Sequence, residues 1–581
     1  MGITEGVRTH PPGPLADAAD DGRGALLRVP LLATLAVVPL YAVWAAVLAT
    51  GGGDLAAQFA WAEFVARHPW SAYNLSWYGG THTANYSVLA PPLMGLFGVR
   101  AVSVAAGLLG SWALGRLCVR SGVPWPLAPA VLGSLLLWCN AASGRTTFAL
   151  GLAFGLVALL YVRNRPALAA GCGLLATAAS PVAGLFLVVV GAAHGLDRQW
   201  HRALALVLPP FAVVAVTTAL FPFTGEQPMP AGKLWMPLAA CAAVWPAAPR
   251  DGGWRVVRFA SAVYALGVVL TFLVPSPIGT NVERLVGVAG PPVLLAALLT
   301  RVRRERGTGR AGDTGRESGT GRERDTGRER GTGRGTRTAR RGRVLVLAAL
   351  LAVNTGWVVD KTDDDLEVSN AVPSWAARTE GVVAALHRLG ADRTRVEAVP
   401  ARNHREAAVL APHVSLARGW NRQLDVERGR LFYDGTLNPL TYRGWLDRWG
   451  VGLVVLHSGR PDGPAEAEAE IVRRGTNWLE PVWQDADWRI YRVRNAVPLV
   501  SAPGAAVRGD AASLVVRMPA AGSVRVRIAY SPWLRADGGG CVRRDGAWSR
   551  LTVDRGGDYR LDGRYRLPGT GTNAGTGTGC G

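Results

Sequence analysis

The sequence predicts a mainly α polytopic membrane protein of about nine to eleven transmembrane helices, followed by an α/β region and a small β-sandwich. Three observations carry that expectation. From residue 28 to about 300, the 581-residue chain consists of almost uncharged apolar runs, several of them near the ~20 residues that cross a bilayer. A Gly/Arg-rich tract at 301–342 has no hydrophobic period and cannot build a core. Beyond a last apolar run at 343–360, helical and strand-like patterns alternate to about 496, and short alternating runs follow. A soluble enzyme is excluded by the first observation alone.

A polar tail, 1–27, opens the chain without a cleavable signal pattern. Eleven apolar segments follow at about 28–50, 99–117, 124–142, 146–162, 166–180, 181–195, 203–221, 231–247, 257–274, 284–300 and 343–359. The fifth and sixth are short and meet at Ser180-Pro181, the pattern of a hairpin that does not span fully. Arg23, Arg28, Arg116, Arg120, Arg163, Arg165, Arg198, Arg202, Arg250, Arg255 and the Arg-rich tract all fall on one side of the alternation. The positive-inside rule assigns that side to the cytoplasm. The opposite side receives the outer loop 51–92, residues 222–232 and 275–283, and everything after Asp360.

The predicted protein is therefore a multi-pass plasma-membrane protein with a disordered cytoplasmic linker, 301–342. Its extracytoplasmic part comprises an α/β domain at 361–496, a β-sandwich at 497–567 and a disordered tail at 568–581. Helical patterns at 375–389 and 438–449 alternate with strand-like runs at 394–399, 452–456 and 487–493. Alternation at Ser513–Arg517 and Val524–Ile528 marks the sandwich strands.

The formal charge of +21 does not imply nucleic-acid binding. Residues 301–343 alone hold fifteen arginines against six acids, beside membrane spans, where basic residues act as topology anchors. Only Lys233 and Lys361 are lysines, a bias that looks like a high-GC bacterial genome. Of the six cysteines, Cys118, Cys139, Cys172 and Cys241 lie in or beside apolar runs, and none forms a metal-ligand motif.

The outer loop carries the most chemistry. Gly51-Gly52-Gly53-Asp54 comes directly after the first span, and Tyr73 to His82 with Asn85-Tyr86-Ser87 close the loop. A carboxylate at the membrane surface beside aromatic rings suits a sugar, because rings stack on its faces and a carboxylate deprotonates its hydroxyls. Equally, Asp54 reads as the N-cap of the next helix. Tyr78 and Tyr86 are the ring candidates; His82 is either a phosphate or metal ligand or a structural loop histidine. Arg145 and the group Asn281, Glu283 and Arg284 begin spans at the same face, where ionisable residues are costly unless paired or functional. A guanidinium there suits a lipid phosphate; an ion pair of Glu283 with Arg284 is the plainer alternative.

These residues, with Gly144–Gly151, Ala179–Gly184 and Pro277–Leu285, resemble the polytopic glycosyltransferases of the GT-C type. The resemblance covers roughly 28–300 and, more loosely, 360–500. It implies a GT-C-like fold, a polyprenyl-phosphate sugar as donor, and a cell-envelope glycan, lipid or protein as acceptor. It further implies Asp54 as general base, with Tyr78, His82, Tyr86, Arg145, Asn281, Glu283 and Arg284 around the substrates. Many members pair two acids in this loop, whereas the next acid after Asp54 here is Glu63. Positive charge for the leaving phosphate comes from Arg145, Arg284 or a divalent metal; no other cofactor is implied. Membrane lipids are partners, and nucleic acid is not.

Two rival readings remain at this level: a permease, and a non-catalytic envelope assembly protein that binds glycan. The first lacks two similar halves and carries few ionisable groups inside its spans. Gly419–Asp425 and Leu431–Asp434 mix aromatics with amides and acids, as a saccharide groove or an ordinary loop does. Trp533 and Trp548 are either a carbohydrate platform or core residues.

Overall fold

The computed structural model of the chain describes residues 14–314 and 332–565. Helices dominate as far as Asn370. The first apolar run forms α1 (Pro14–Leu35) and α2 (Val38–Val43) and ends in a π-helical turn to Leu48. The loop after it carries α3 (Asp54–Arg67) and α4 (Ala90–Phe97). There follow α5 (Val99–Arg120), α6 (Leu127–Ala142), α7 (Thr146–Tyr161), α8 (Pro166–Ala179), α9 (Pro181–Leu196) and α10 (Trp200–Leu220). The bundle is completed by α11 (Trp235–Ala247), α12 (Trp254–Leu273), α13 (Glu283–Thr314) and α14 (Thr332–Asn370). Each of the eleven apolar segments is thus helical, and among the described residues six helical stretches are long and apolar enough to cross a membrane.

The packing is inside-out relative to a soluble bundle. Leu31, Phe211, Leu266 and Leu273 are exposed, while α5 buries Gly107, Gly110, Ala113 and Gly115. Small residues let helices approach closely where lipid supplies the apolar surroundings. Trp125, Trp200 and Trp245 are exposed at helix ends on one side of the bundle, and Trp235 at the opposite end of α11, positions that indole rings prefer at a membrane interface.

The segments expected to be structureless are partly helical. Helix α1 begins at Pro14 inside the expected tail, α13 runs on to Thr314, and α14 begins at Thr332 and continues ten residues past the expected end at 360. Residues 1–13 of the expected tail, 315–331 and 566–581 lie outside the described residues. Helices α8 and α9 have 14 and 16 residues, hence lengths of roughly 21 and 24 Å at 1.5 Å per residue. Both fall short of a ~30 Å hydrocarbon core. They meet at Ser180, whose extended backbone breaks the helix before Pro181. The Ala178 carbonyl at this tip accepts from the N–H groups of Val88 and Leu89 at 2.9 and 3.0 Å, placing the hairpin tip beside the first long loop. The arginines sit at the opposite end: Arg120 donates to the Leu160 carbonyl at 3.0 Å and Arg255 pairs with Asp197 at 3.0 Å.

Past Asn370 comes the α/β domain. Helices α15 (Ser374–Ala377), α16 (Glu380–Arg388), α17 (Glu406–Val409), α18 (Arg422–Arg428), α19 (Pro439–Trp449) and α20 (Glu466–Arg474) accompany a four-stranded sheet. Its order is β1-β2-β4-β3, with β1 (Arg395–Ala398), β2 (Val451–His457), β3 (Leu479–Gln484) and β4 (Trp488–Val493). Strands β1 and β2 run parallel, Val396 beside Leu453, and the other pairs are antiparallel. In the core Arg418 is fully enclosed between Glu397 and Glu468, and Tyr442 donates to Glu468 at 2.8 Å. Burial pushes both carboxyls up, against the attraction of the guanidinium.

The last domain is a sandwich of β5 (Ala505–Gly509), β6 (Ser513–Met518), β7 (Gly522–Ala529), β8 (Arg535–Ala536), β9 (Cys541–Asp545), β10 (Trp548–Val553) and β11 (Gly557–Asp562). One sheet has the order β5-β6-β11-β8 and the other β7-β10-β9. Val524, Val526 and Ile528 alternate inward, as the period of two requires, and join Val516, Leu551 and Leu561 in the core. Tyr73 and Leu75 of the first loop belong to that same core. Trp533 stacks on Phe221 at the end of α10, and Trp548 packs edge-on against Trp449, so both are buried structural residues and not a sugar platform.

Candidate active site

The first loop reaches its position because glycines let it pass under α14. A Cβ on Gly52 would lie 2.6 Å from the Ser369 carbonyl oxygen, a distance no side chain tolerates. Arg405 clamps this crossing, donating to the Thr50 carbonyl at 2.6 Å and the Ser369 carbonyl at 2.8 Å. Gly53 is the residue that caps α3, so Asp54 is the first residue inside the helix and makes no capping hydrogen bond. Its carboxylate is directed elsewhere. Oδ2 lies 3.5 Å from Nε of Arg145 and 4.0 Å from Nη2 of Arg284.

Arg145 can approach because Gly144 precedes it at φ 80°; a Cβ there would sit 2.7 Å from the Leu55 nitrogen. Arg145 also donates from Nη2 to Oδ2 of Asp365, on the last turns of α14, at 2.9 Å. Glu283, at the start of α13, is buried and accepts from Nζ of Lys361 at 2.8 Å. Lys361 lies 5.1 Å from the Trp357 ring. Asn281 donates to Oε1 of Gln227 at 3.0 Å. Arg284 differs from these groups. Among the described residues it has no hydrogen bond; its neighbours are the Asp54 carboxylate at 4.0 Å and the Phe148 ring at 5.4 Å.

These groups, except Asp365 and the Phe148 ring, line one cavity of about 240 Å3. Asp54, Gln58 and Trp61 of α3 form one wall with Tyr86, while Leu136, Val288, Trp357 and Val358 make an apolar part between α6, α13 and α14. Trp420 to Gln423 of the α/β domain also line it. Gln423 holds that segment in place, donating to Oε1 of Gln227 at 3.2 Å and to the Pro277 carbonyl at 3.1 Å. Trp420 stacks on His404 with ring centroids 3.4 Å apart, and burial pushes His404 down to about 4. Arg422 pairs with Asp462 at 3.0 Å.

Of the residues singled out from the sequence, Asp54, Tyr86, Arg145, Asn281, Glu283 and Arg284 line this cavity, and Tyr78 and His82 do not. The Tyr78 ring is buried and its hydroxyl donates to the Asn421 carbonyl at 3.2 Å. His82 lies edge-on between Tyr73 and Phe221, at 4.8 and 5.6 Å, and burial pushes its imidazole down to about 3. The reason is docking. Residues 72–78 are gripped by both C-terminal domains: the Leu75 N–H donates to the Ala511 carbonyl at 2.7 Å and Trp77 Nε1 to the Ala407 carbonyl at 3.0 Å.

The sequence reading passed over Gln58, Trp61, Lys361 and Asp365. The spacing of Asp54, Gln58 and Trp61 at i, i+4 and i+7 was a legible signal of one helix face. Asp365 stands in the acidic run after Lys361, with nothing local to show which acid turns toward Arg145.

A divalent metal does not fit the residues present. Asp54 and Asp365 both face the Arg145 guanidinium, and among the described residues no three His, Cys, Asp or Glu side chains gather as a ligand set.

A domain of unknown function (DUF8823) matches residues 501–541, the first part of the β-sandwich. No curated protein matches the chain. Among solved structures the chain is similar to the arabinofuranosyltransferase AftD from Mycobacteria, at 14% identity and a TM-score of 0.41. That likeness covers 85% of this chain and 41% of the other, so the chain spans about two fifths of that structure's length.

Proposed function

We propose that the chain is an integral membrane glycosyltransferase that moves a sugar from a polyprenyl-phosphate donor to a cell-envelope acceptor at the outer face of the plasma membrane. The observation that carries this reading is Arg284: a cavity-lining guanidinium without a hydrogen bond among the described residues, beside a carboxylate on the first turn of a helix. A guanidinium in that state suits a phosphate, which it meets with two parallel N–H donors. The apolar lining between α6, α13 and α14 gives the first units of a lipid chain a place beside the phosphate.

In this reading Asp54 accepts the proton of the acceptor hydroxyl as its oxygen forms a bond to the anomeric carbon of the donor. The bond from that carbon to the phosphate oxygen breaks, and the polyprenyl phosphate leaves with its electron pair. Arg284 stabilises the charge that develops there. Arg145, held by Asp365, orients the Asp54 carboxylate.

The test is transfer by the purified chain in liposomes, with radiolabelled polyprenyl-phosphate pentoses and hexoses and delipidated envelope as acceptor. Incorporation of label from at least one donor is expected. No incorporation from any donor, with a protein that still binds polyprenyl phosphate, overturns the proposal.

A further inference from the structure

The cavity is chemically divided, and the division specifies its second ligand. On the side of Arg284 and Lys361 it is cationic and apolar. On the side of α3, beyond the Asp54 carboxylate, it is uncharged and aromatic: Gln58, Trp61 and Tyr86 with Trp420. Trp61 and Tyr86 lie 5.3 Å apart with ring planes inclined at 38°, an angled wall and not a closed stack. Gln58 is 5% exposed, lines the cavity, and its Oε1 has no hydrogen-bond partner. A buried acceptor left unpaired costs about 1–3 kcal/mol, so a ligand that donates to it is favoured. Nδ2 of Asn140, on another wall, is likewise buried and unpartnered.

Resting on the glycosyltransferase reading, we infer that the α3 side is the acceptor subsite and that it takes a neutral saccharide, with no lipid or peptide part inside the cavity. Asp54, Gln58 and Trp61 succeed one another at i, i+4 and i+7, hence on one face of α3. A sugar lying along that face puts a hydroxyl at Asp54, donates another to Oε1 of Gln58, and sets its C–H face on Trp61. The cation beside Trp420, Arg422, is already paired with Asp462 at 3.0 Å, so an anionic acceptor meets no uncommitted charge among the described residues here. A lipid acceptor finds no alkyl wall here, since the aliphatic lining lies across the cavity at Leu136, Val288 and Val358. Because Trp420 belongs to the α/β domain, the subsite is complete only with that domain docked.

The experiment measures binding of neutral tetrasaccharides of pentose or hexose units to the full chain in nanodiscs, by saturation-transfer NMR. Polyprenyl phosphate binding to the same samples reports on the other half. At least one tetrasaccharide is expected to bind the wild type, with affinity falling roughly tenfold or more in Gln58→Ala and Trp61→Ala and largely retained in Trp61→Phe. Polyprenyl phosphate binding stays unchanged in all three, which also shows that the variants are folded. The inference is overturned if no neutral tetrasaccharide binds a wild type that does bind polyprenyl phosphate. It is equally overturned if both alanine variants bind like the wild type, or if transfer proceeds to a peptide or lipid and is indifferent to these residues. Saccharide binding of the expected kind without any transfer activity would leave this subsite standing and remove the catalytic reading.

Discussion

Arg145 and Asp365 stand 220 positions apart, and their side chains meet at 2.9 Å. The pair ties the start of α7 to the last turns of α14, the helix that leads into the α/β domain. It also draws on the same guanidinium that faces Asp54 at 3.5 Å. The proposed base is therefore faced by an arginine whose hydrogen bond belongs to a distant part of the chain.

If Asp365 positions that arginine, Asp365→Asn leaves Arg145 free to close on Asp54 and occupy the lone pair that takes the proton. Losing one charge-assisted hydrogen bond is worth about 1.5–3 kcal/mol, so transfer is expected to fall by roughly tenfold or more. Asp365→Glu, which keeps the charge, recovers part of the rate. Equal rates in wild type and Asp365→Asn would show that the pair is structural only.

Asp54→Asn and Asp54→Ala are both expected to lower transfer by about a hundredfold or more, since neither accepts the proton. Because Gly53 and not Asp54 is the capping residue, the two variants are expected to resemble each other in thermal stability. Activity near wild type in Asp54→Asn removes the base from the mechanism.

Arg284→Ala is expected to weaken binding of polyprenyl phosphate by roughly tenfold or more, the worth of a hydrogen-bonded charge. Arg284→Lys keeps the charge but lacks the two-pronged donor geometry, and falls between the two. Binding by native mass spectrometry decides this; an affinity unchanged in Arg284→Ala would place the phosphate elsewhere.

The α/β domain carries a pH signature. Burial holds His404 at about 4, below its ordinary value near 6.5, so the unfolded state binds more protons between those values. The stability it contributes is present above about pH 6.5 and is lost as pH falls toward 4. His457, also pushed down to about 4, adds to the same loss. Glu406, pushed up to about 8, works in the opposite sense and loses its contribution as pH rises from about 4.5 to 8. In a pH series of melting temperatures, His404→Gln should decline less than wild type between pH 6.5 and 4. Parallel curves would mean that His404 is not buried as a neutral ring.

Orientation is testable at two exposed glycines with open space around the position of a Cβ: Gly253, before α12, and Gly463, in the α/β domain. In intact cells an impermeant maleimide is expected to label Gly463→Cys, and Gly253→Cys only after permeabilisation, as the arginine distribution requires. The reverse pattern inverts the topology and moves the proposed site to the cytoplasm.

The helical bundle was legible in the sequence because its determinants are local. Uncharged runs bounded by arginines and by Ser180-Pro181 mark helices wherever the rest of the chain lies, and the alternation of Val524, Val526 and Ile528 marks a strand in the same way. The positions of Asp54, Arg145, Asn281, Glu283 and Arg284 at one end of the bundle follow from counting spans. The sequence by itself thus determined which elements form and which ionisable groups share an end.

Only the tertiary structure decided what those groups touch. Tyr78 and His82 read as open loop residues because nothing near them in sequence covers them; Asn421 and Phe221 do. Asp54 read equally as cap and as catalyst until Gly53 took the cap and Arg145 and Arg284 took the carboxylate. Asp365, Lys361 and Trp420 enter the site from α14 and the α/β domain, far along the chain. Periodicity reports only on neighbours within a few residues, whereas a side chain's charge partner and its shelter from water depend on every segment that packs against it. That is why the end of the bundle was readable in one dimension and the site required three.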